Sequence, residues 1–242
     1  MKMHAITLIL SLLVAVSCQN SNNSTEERLS EQSDSTQLLE NEVLVEDTTP
    51  ATLINFLPID YDTSKWTELI RLDSTILLDL RYATDSNFVG EKMYGCGRCF
   101  LRPRVAHTLV KVHQQLKKRG LGLKMYDCYR PRPIQWKLWE KVPDRRYVSD
   151  PRKGSMHNRG AAVDLTIVDS TGQELPMGTP YDYFGIEAYP AYQDLAADVL
   201  ANRALLHEHM KAVGFKPIRT EWWHFSLPGQ GAKLSDMLWK CY

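Results

Sequence analysis

Apolar and polar residues follow a helical period between residues 102 and 120. The apolar side chains recur at every third or fourth position, at Val105, Leu109, Val112 and Leu116. Basic residues gather near the end of this segment, and Gly120 closes it. The pattern predicts an amphipathic helix that ends in a glycine cap.

Other segments predict the remaining elements of one domain that runs from about Phe56 onward. Strand-like runs lie at 76–82, 121–129, 161–169 and 221–227, and helical patterns lie at 133–142 and 191–215. The run RPRP ends the second strand, and STGQ is typical of a turn after the third. Strands and helices are intermixed without a regular βαβ repeat, so the predicted fold class is α+β.

The chain's first fifty residues have a different composition. Residues 1–18 combine a lysine, a short apolar run and then Cys18, which predicts a signal peptide rather than a membrane span. The segment resembles a bacterial lipoprotein signal, in which such a cysteine is lipidated; a plain signal peptide is the alternative. Residues 19–50 are polar and lack aromatic side chains, which predicts a disordered tether. We therefore expect a periplasmic protein of the cell envelope, anchored through Cys18, with its folded domain at 51–242.

Charge and cysteine usage narrow the function classes. Lys plus Arg and Asp plus Glu number 29 each, so the formal net charge is zero and no basic excess favours nucleic acid. In an oxidising compartment, Cys96, Cys99, Cys128 and Cys241 predict structural disulfides, with three pairings left open. The run CGRC also fits a zinc half-site or a redox motif, but no second CxxC and no thioredoxin-like pattern accompanies it.

Three residues are candidate metal ligands. His157 and Asp164 lie seven residues apart before a strand-like run, and His224 lies near the far end of the chain. Catalytic zinc takes three ligands of this kind, and Glu221 stands close enough to act on a zinc-activated water. Each residue also has a structural alternative: a turn histidine, a capping aspartate and a packed strand histidine. Spacing alone therefore leaves the metal open.

The motifs around these residues carry a resemblance to a known family. SMHNRGAAVDL resembles SxHxxGxAxD, and EWWH resembles ExWH, of the zinc D-Ala-D-Ala dipeptidases and their relatives among the D,D-peptidases. Three further blocks, at 79–88, 126–131 and 177–184, resemble the dipeptidase branch in the same order. The resemblance implies a hedgehog- and D,D-peptidase-like zinc peptidase fold, with helices flanking a small central antiparallel sheet that carries the ligands.

The resemblance also implies roles for matching residues. His157, Asp164 and His224 match the ligands of one zinc ion per chain, and Glu221 matches the catalytic base. Arg130 matches an arginine that stabilises the tetrahedral oxyanion, a role that suits a permanently charged guanidinium. The alternative for Arg130 is a surface ion pair.

Four more residues match positions that bind the substrate or support the site. Asp182 is the expected partner of the free ammonium of a dipeptide, although it also fits a plain turn residue. Ser155 and Tyr82 are expected to donate hydrogen bonds, and Asp127 is expected to hold Arg130 in place.

The predicted function is hydrolysis of D-Ala-D-Ala to two D-alanines, in wall turnover or salvage. A zinc D,D- or L,D-carboxypeptidase that trims peptidoglycan stems is one alternative, and a non-catalytic, zinc-stabilised envelope binding domain is another. The expected partners are the dipeptide and, through the lipid anchor alone, a membrane; none is a nucleic acid.

Overall fold

The computed structural model describes residues 58–229 and 231–242. The predictions for 1–18 and 19–50, and the start of the domain at residue 51, lie outside this part. Its strands are β1 Thr67–Glu68, β2 Leu77–Leu78, β3 Phe100–Leu101, β4 Gly122–Asp127, β5 Ala162–Val168, β6 Lys216–Pro217 and β7 His224–Ser226. Its helices are α1 Pro103–Lys117, α2 Arg132–Lys141 and α3 Ala197–Ala212, with four short 3-10 helices at Leu69–Arg71, Arg81–Ala83, His157–Arg159 and Ile186–Ala188.

Five strands form the central sheet, in the order β2-β4-β5-β7-β6. Only the β2–β4 pair is parallel, and the other pairs are antiparallel. All seven residues of β5 are buried, as expected for a central strand that is covered on both faces. The predicted α+β fold with a small, mainly antiparallel sheet is therefore confirmed.

Helices α1 and α3 pack against the sheet and against each other. The apolar stripe predicted for α1 is its buried face, where Val105, Leu109 and Leu116 are fully inaccessible to solvent. Pro103 begins the helix, at a position where its missing N–H group is tolerated. Among the described residues, no helix combines the length and the apolar character needed to cross a membrane.

Three predicted elements have different bounds in the structure. The helix predicted from residue 191 begins at Ala197, because Ala196 is extended and the residues before it form turns. The strand predicted at 76–82 is limited to β2, and the chain then turns into a 3-10 helix that carries Tyr82 toward the site. The last strand begins at His224 rather than at residue 221, since the paired register with β5 ends at Asp164 and His224, beyond which only the Leu165 N–H donates to the carbonyl of Trp223.

Two disulfides join the four cysteines of the domain. Cys96 pairs with Cys241, and Cys99 pairs with Cys128. The two cysteines of CGRC therefore belong to different disulfides and form neither a zinc half-site nor a dithiol pair. The first disulfide fixes the chain after β7, where the Trp239 ring also packs on the ring of Phe100 with 5.4 Å between centroids.

Candidate metal centre and active site

The register of three neighbouring strands brings the site together. Asp164 on β5 lies opposite Asp127 on β4 and opposite His224 on β7. These residues are far apart in sequence, but antiparallel pairing places them in one row across the sheet. A register shift in β4 just before Asp127 interrupts the regular ladder at this point, as bulges often do beside functional sites.

His157 reaches the same place from a 3-10 turn rather than from a strand. The turn ends at Gly160, whose φ of 67° lies in the left-handed region that glycine adopts easily. A Cβ atom at Gly160 would lie 2.4 Å from the Trp66 ring, so the turn and this ring are in close contact. The His157 Nδ1 atom donates to the carbonyl of Cys128 at 2.7 Å, which leaves Nε2 with its lone pair facing the sheet.

The three candidate ligands have the geometry of a metal site. His157 Nε2 lies 3.2 Å from His224 Nδ1 and 3.3 Å from Asp164 Oδ1, and His224 Nδ1 lies 2.9 Å from that oxygen. Ligand atoms about 2.0–2.1 Å from one tetrahedral zinc ion are separated by about 3.3 Å, so the donor set fits this ion. A further contact orients the set, because the Tyr181 hydroxyl donates to Asp164 Oδ2 at 3.0 Å.

The charges of the three candidate ligands depend on one another. Burial raises the pKa of Asp164, but His157 and His224 together hold it well below its usual value. Burial lowers the pKa of His157, and Asp164 reverses this effect so that the pKa is raised. The carboxylate is therefore ionised at neutral pH, as a metal ligand must be.

Glu221 lies beside the candidate ligands without joining them. Its Oε2 atom is 3.8 Å from His224 Nδ1, and its side chain keeps 33% of its surface exposed. Burial raises the pKa of this carboxyl above its ordinary value. A carboxyl that is open to the cavity and close to a metal can accept and return a proton.

Arg130 is held behind the cavity by a buried carboxylate. Its Nε and Nη2 atoms donate to Asp127 Oδ2 at 3.0 and 2.6 Å, and its guanidinium lies 4.6 Å from the centre of the Tyr82 ring. Burial lowers the pKa of Arg130, but Asp127 raises it well above the ordinary value. The partner of Arg130 is thus a buried aspartate that fixes the guanidinium, not a carboxylate at the surface.

Asp182 lies on the far wall of the cavity in an unusual backbone conformation. Its φ of 59° is the only positive value among the described non-glycine residues, and such strain is concentrated at functional sites. The Tyr82 hydroxyl donates to Asp182 Oδ2 at 3.1 Å. Burial and the nearby Asp164 raise the pKa of Asp182 well above its usual value.

One cavity of about 340 Å³ brings these groups together. Eight of the nine site residues predicted from sequence line it: Tyr82, Arg130, Ser155, His157, Asp164, Asp182, Glu221 and His224. The ninth, Asp127, lies behind Arg130 with 1% of its surface exposed. The Ser155 hydroxyl donates to Asn158 Oδ1 at 3.2 Å, so part of its hydrogen-bonding capacity is already in use.

Sequence reasoning missed several residues that support the site. Tyr181 contacts Asp164, and the Tyr94 hydroxyl donates to Asp127 Oδ1 at 3.1 Å. Gln135 and Asn158 both contact Arg130. Tyr181 and Asn158 stand inside the matched motifs, where a search for polar neighbours of the ligands could find them. Tyr94 and Gln135 carry no such signal.

A His/Asp/His donor set beside a carboxyl and a fixed arginine, carried by an α+β sheet, defines the class of metal-dependent hydrolases. Comparison with known proteins makes the class specific. A family model described as D-ala-D-ala dipeptidase, of the Peptidase M15 group, matches residues 63–240. The chain belongs to this family of metallopeptidases.

Curated relatives carry the same description. The D-alanyl-D-alanine dipeptidase of Escherichia coli (strain K12) is 36% identical over 167 residues, which is 69% of this chain and 86% of that protein. The enzyme of that name from Enterococcus faecium is 29% identical over 170 residues, 62% of this chain and 84% of its own. Among solved structures, the LdcB LD-carboxypeptidase matches with a TM-score of 0.42 and 20% identity, covering 72% of this chain and 73% of its own.

Proposed function

We propose that this protein is a zinc-dependent dipeptidase that hydrolyses free D-Ala-D-Ala. The observation that carries the proposal is the carboxyl group of Asp182, which accepts a hydrogen bond from the Tyr82 hydroxyl but has no cationic partner among the described residues. It lines the cavity and is half-buried, and in the described part of the chain no lysine, arginine or histidine forms an ion pair with it. A free dipeptide offers a cation to this position, whereas an acylated stem peptide does not.

In this proposal His157, Asp164 and His224 hold one zinc ion. When bound, zinc supplies a water nucleophile at neutral pH and polarises a substrate carbonyl. The close approach of the three donor atoms supports this interpretation. The protein's own contribution is to fix these donors, since Cys128 and Tyr181 orient two of them.

Glu221 and Arg130 perform the chemical steps that belong to the protein. Glu221 takes the proton of the attacking water and later delivers it to the leaving amine of the second D-alanine. Arg130 donates to the oxygen of the scissile carbonyl as negative charge develops there. Because Asp127 already holds the guanidinium, little reorganisation is needed at the moment of reaction.

The remaining residues fix the dipeptide between these groups. Asp182 binds the ammonium, and Tyr82 orients the Asp182 carboxyl through its hydroxyl. Ser155 lies across the cavity with a hydroxyl for the substrate. Because Asp182 pairs with the ammonium at one end of the substrate, the site favours short peptides with a free amino terminus.

The envelope location is part of the same proposal. We infer that the signal-like segment ending at Cys18 exports the chain and anchors it by a lipid, and that the enzyme meets dipeptide released during wall turnover or salvage. Metabolic labelling with a fatty acid should mark the wild-type protein and spare a Cys18→Ala variant. Equal labelling of both would refute the anchor without affecting the activity.

The activity is tested with two substrates and a chelator. The purified protein should release D-alanine from free D-Ala-D-Ala, lose this activity with a chelator and regain it with zinc. Asp182→Asn should lower kcat/KM for the free dipeptide by roughly 100-fold, since the charge pair between this half-buried carboxylate and the substrate ammonium is lost. Cleavage of an N-acylated D-Ala-D-Ala peptide as well would show that the protein is a carboxypeptidase. No cleavage of either substrate would instead support the binding domain.

A further inference from the structure

Two buried amide side chains lie directly behind the guanidinium of Arg130. Gln135 is on the first turns of α2, and Asn158 is in the 3-10 turn after His157; both have 0% of their surface exposed. Buried amides are expensive to keep unless every polar atom has a partner. Neither residue belongs to the metal site or to the chemical steps described above, so their burial calls for another explanation.

The hydrogen bonds of these two amides form one connected network. Gln135 Oε1 accepts from Arg130 Nη1 at 3.1 Å and from Asn158 Nδ2 at 3.4 Å, and Gln135 Nε2 donates to the carbonyl of Ser149 at 2.9 Å. Asn158 Nδ2 also donates to the carbonyl of Arg130 at 2.8 Å, and Asn158 Oδ1 accepts from the Ser155 backbone N–H at 2.8 Å. The network therefore joins the arginine to the segment that carries Ser149 and Ser155.

Each amide has only one orientation that satisfies this network. If Gln135 were flipped, its NH2 group would face the guanidinium and the Asn158 NH2 group, and its oxygen would face the Ser149 carbonyl. Donor would then meet donor, and acceptor would meet acceptor. The two amides thus form a fixed scaffold in which an oxygen always points at Arg130.

We propose that Gln135, oriented by Asn158, is a positioning residue that sets the plane of the Arg130 guanidinium for the oxyanion. The inference rests on the proposed role of Arg130. A guanidinium has five N–H bonds, and three are directed here: two to Asp127 and one to Gln135. Asp127 alone holds one edge of the group. Gln135 contacts the opposite nitrogen, and the Tyr94 hydroxyl also interacts with the guanidinium, so that at least one N–H bond is left to meet the substrate.

Gln135 also has a neutral oxygen where a carboxylate would be harmful. A second acid beside Asp127 would offset the positive charge that the oxyanion requires. A neutral acceptor fixes the guanidinium and leaves its charge intact. Glutamine therefore fits this position better than glutamate, whose two oxygens would also leave the Ser149 carbonyl without a donor.

The test compares Gln135→Met with a matched variant, Gln114→Met, which changes an exposed glutamine on α1. Methionine keeps the length of the side chain and removes all three hydrogen bonds. The interaction with the oxyanion exists only in the transition state, so kcat should fall by about 10- to 100-fold with KM nearly unchanged. Zinc content should match that of the control. The midpoint of thermal unfolding should be lower than in the control, because the Ser149 carbonyl loses its donor, but the variant should be folded at the assay temperature. Wild-type kcat in folded Gln135→Met would overturn the proposal. A fall in kcat no larger than the fall in zinc content would also overturn it, because the lost zinc alone would then explain the lower activity.

A second variant and a second measurement keep the test decisive. If Gln135→Met does not fold, Gln135→Asn takes its place in the test. Asparagine retains the amide but is one methylene too short to reach both Arg130 and Ser149, so the same fall in kcat is expected. Independently of activity, the Arg130 Nη–H resonances, assigned through their absence in Arg130→Lys, should exchange with solvent faster in the Gln135 variants, because Nη1 loses its acceptor. An inactive wild type with this faster exchange would refute the proposed function alone. Unchanged exchange would refute the positioning role alone.

Discussion

The contact between Gly160 and Trp66 gives a prediction that can be worked out in free energy. Alanine at position 160 would adopt a left-handed φ, which is unfavourable by about 1–2 kcal/mol. Its Cβ atom would also lie 2.4 Å from the Trp66 ring. This ring has little room to move, since it is 3% exposed and lies between the Tyr129 ring, 4.1 Å away, and the Arg102 guanidinium, 4.0 Å away.

Relief of this overlap adds the penalty of an overpacked core, about 1–3 kcal/mol. We therefore expect Gly160→Ala to lower the free energy of unfolding by about 2–5 kcal/mol, a large part of the roughly 5–15 kcal/mol typical of a domain. Gly90→Ala is the matched control, because Gly90 has nearly the same φ, 66°, and a Cβ atom added there would have no neighbour within 4 Å. It should show the backbone penalty alone.

Urea unfolding of the two variants separates the terms. The difference between them measures the packing penalty, and Trp66→Phe should reduce it, since the smaller ring frees the space. Equal destabilisation by Gly160→Ala and Gly90→Ala would show that the Trp66 ring gives way without penalty. In that case the turn that carries His157 would not be fixed by this contact.

Two further predictions concern chemistry and acid stability. Glu221→Gln should bind zinc as the wild type does, while kcat falls by about 100-fold or more because the proton acceptor is lost. A variant that keeps most of the wild-type activity would show that Glu221 has no part in the mechanism. Burial raises the pKa values of Asp60 and Glu68, but hydrogen bonds from Arg98 hold both below their ordinary values of 3.8 and 4.5. Groups with lowered folded pKa values stabilise the protein above their unfolded pKa values, so this contribution should be complete above about pH 5 and decline as the pH falls below about 4. Arg98→Met should lower the free energy of unfolding at pH 7 by about 3 kcal/mol and flatten this acid decline; an unchanged pH profile would contradict the assignment.

The sequence predicted those parts of the fold that depend on local periodicity. Helix α1 and strand β5 are close to their predicted bounds, because each buries a regular set of apolar side chains. The start of α3 was wrong by six residues, since helical composition before Ala197 does not outweigh the turns that the chain forms there. Such turns depend on tertiary contacts that a one-dimensional pattern does not contain.

The candidate site depended on a different kind of information. Spacing alone left the metal open, and only the motif resemblance assigned His157, Asp164 and His224 together. What joins Asp164 to His224 is strand register, which is set by the packing of the whole sheet. Gln135 was missed for the same reason, because nothing in its local sequence shows that α2 turns it toward Arg130.

The two disulfides place a constraint on how the chain matures. The ring closed by Cys99 and Cys128 lies wholly within the ring closed by Cys96 and Cys241. If the chain emerges into an oxidising compartment from its amino terminus, Cys96, Cys99 and Cys128 all become available for oxidation before Cys241 does. During that interval Cys96 competes with Cys99 for Cys128, and thiol–disulfide exchange must correct any wrong pair before the outer ring closes. The yield of native enzyme should therefore depend on an isomerase or a thiol buffer, and oxidant alone should accumulate protein with a free Cys241.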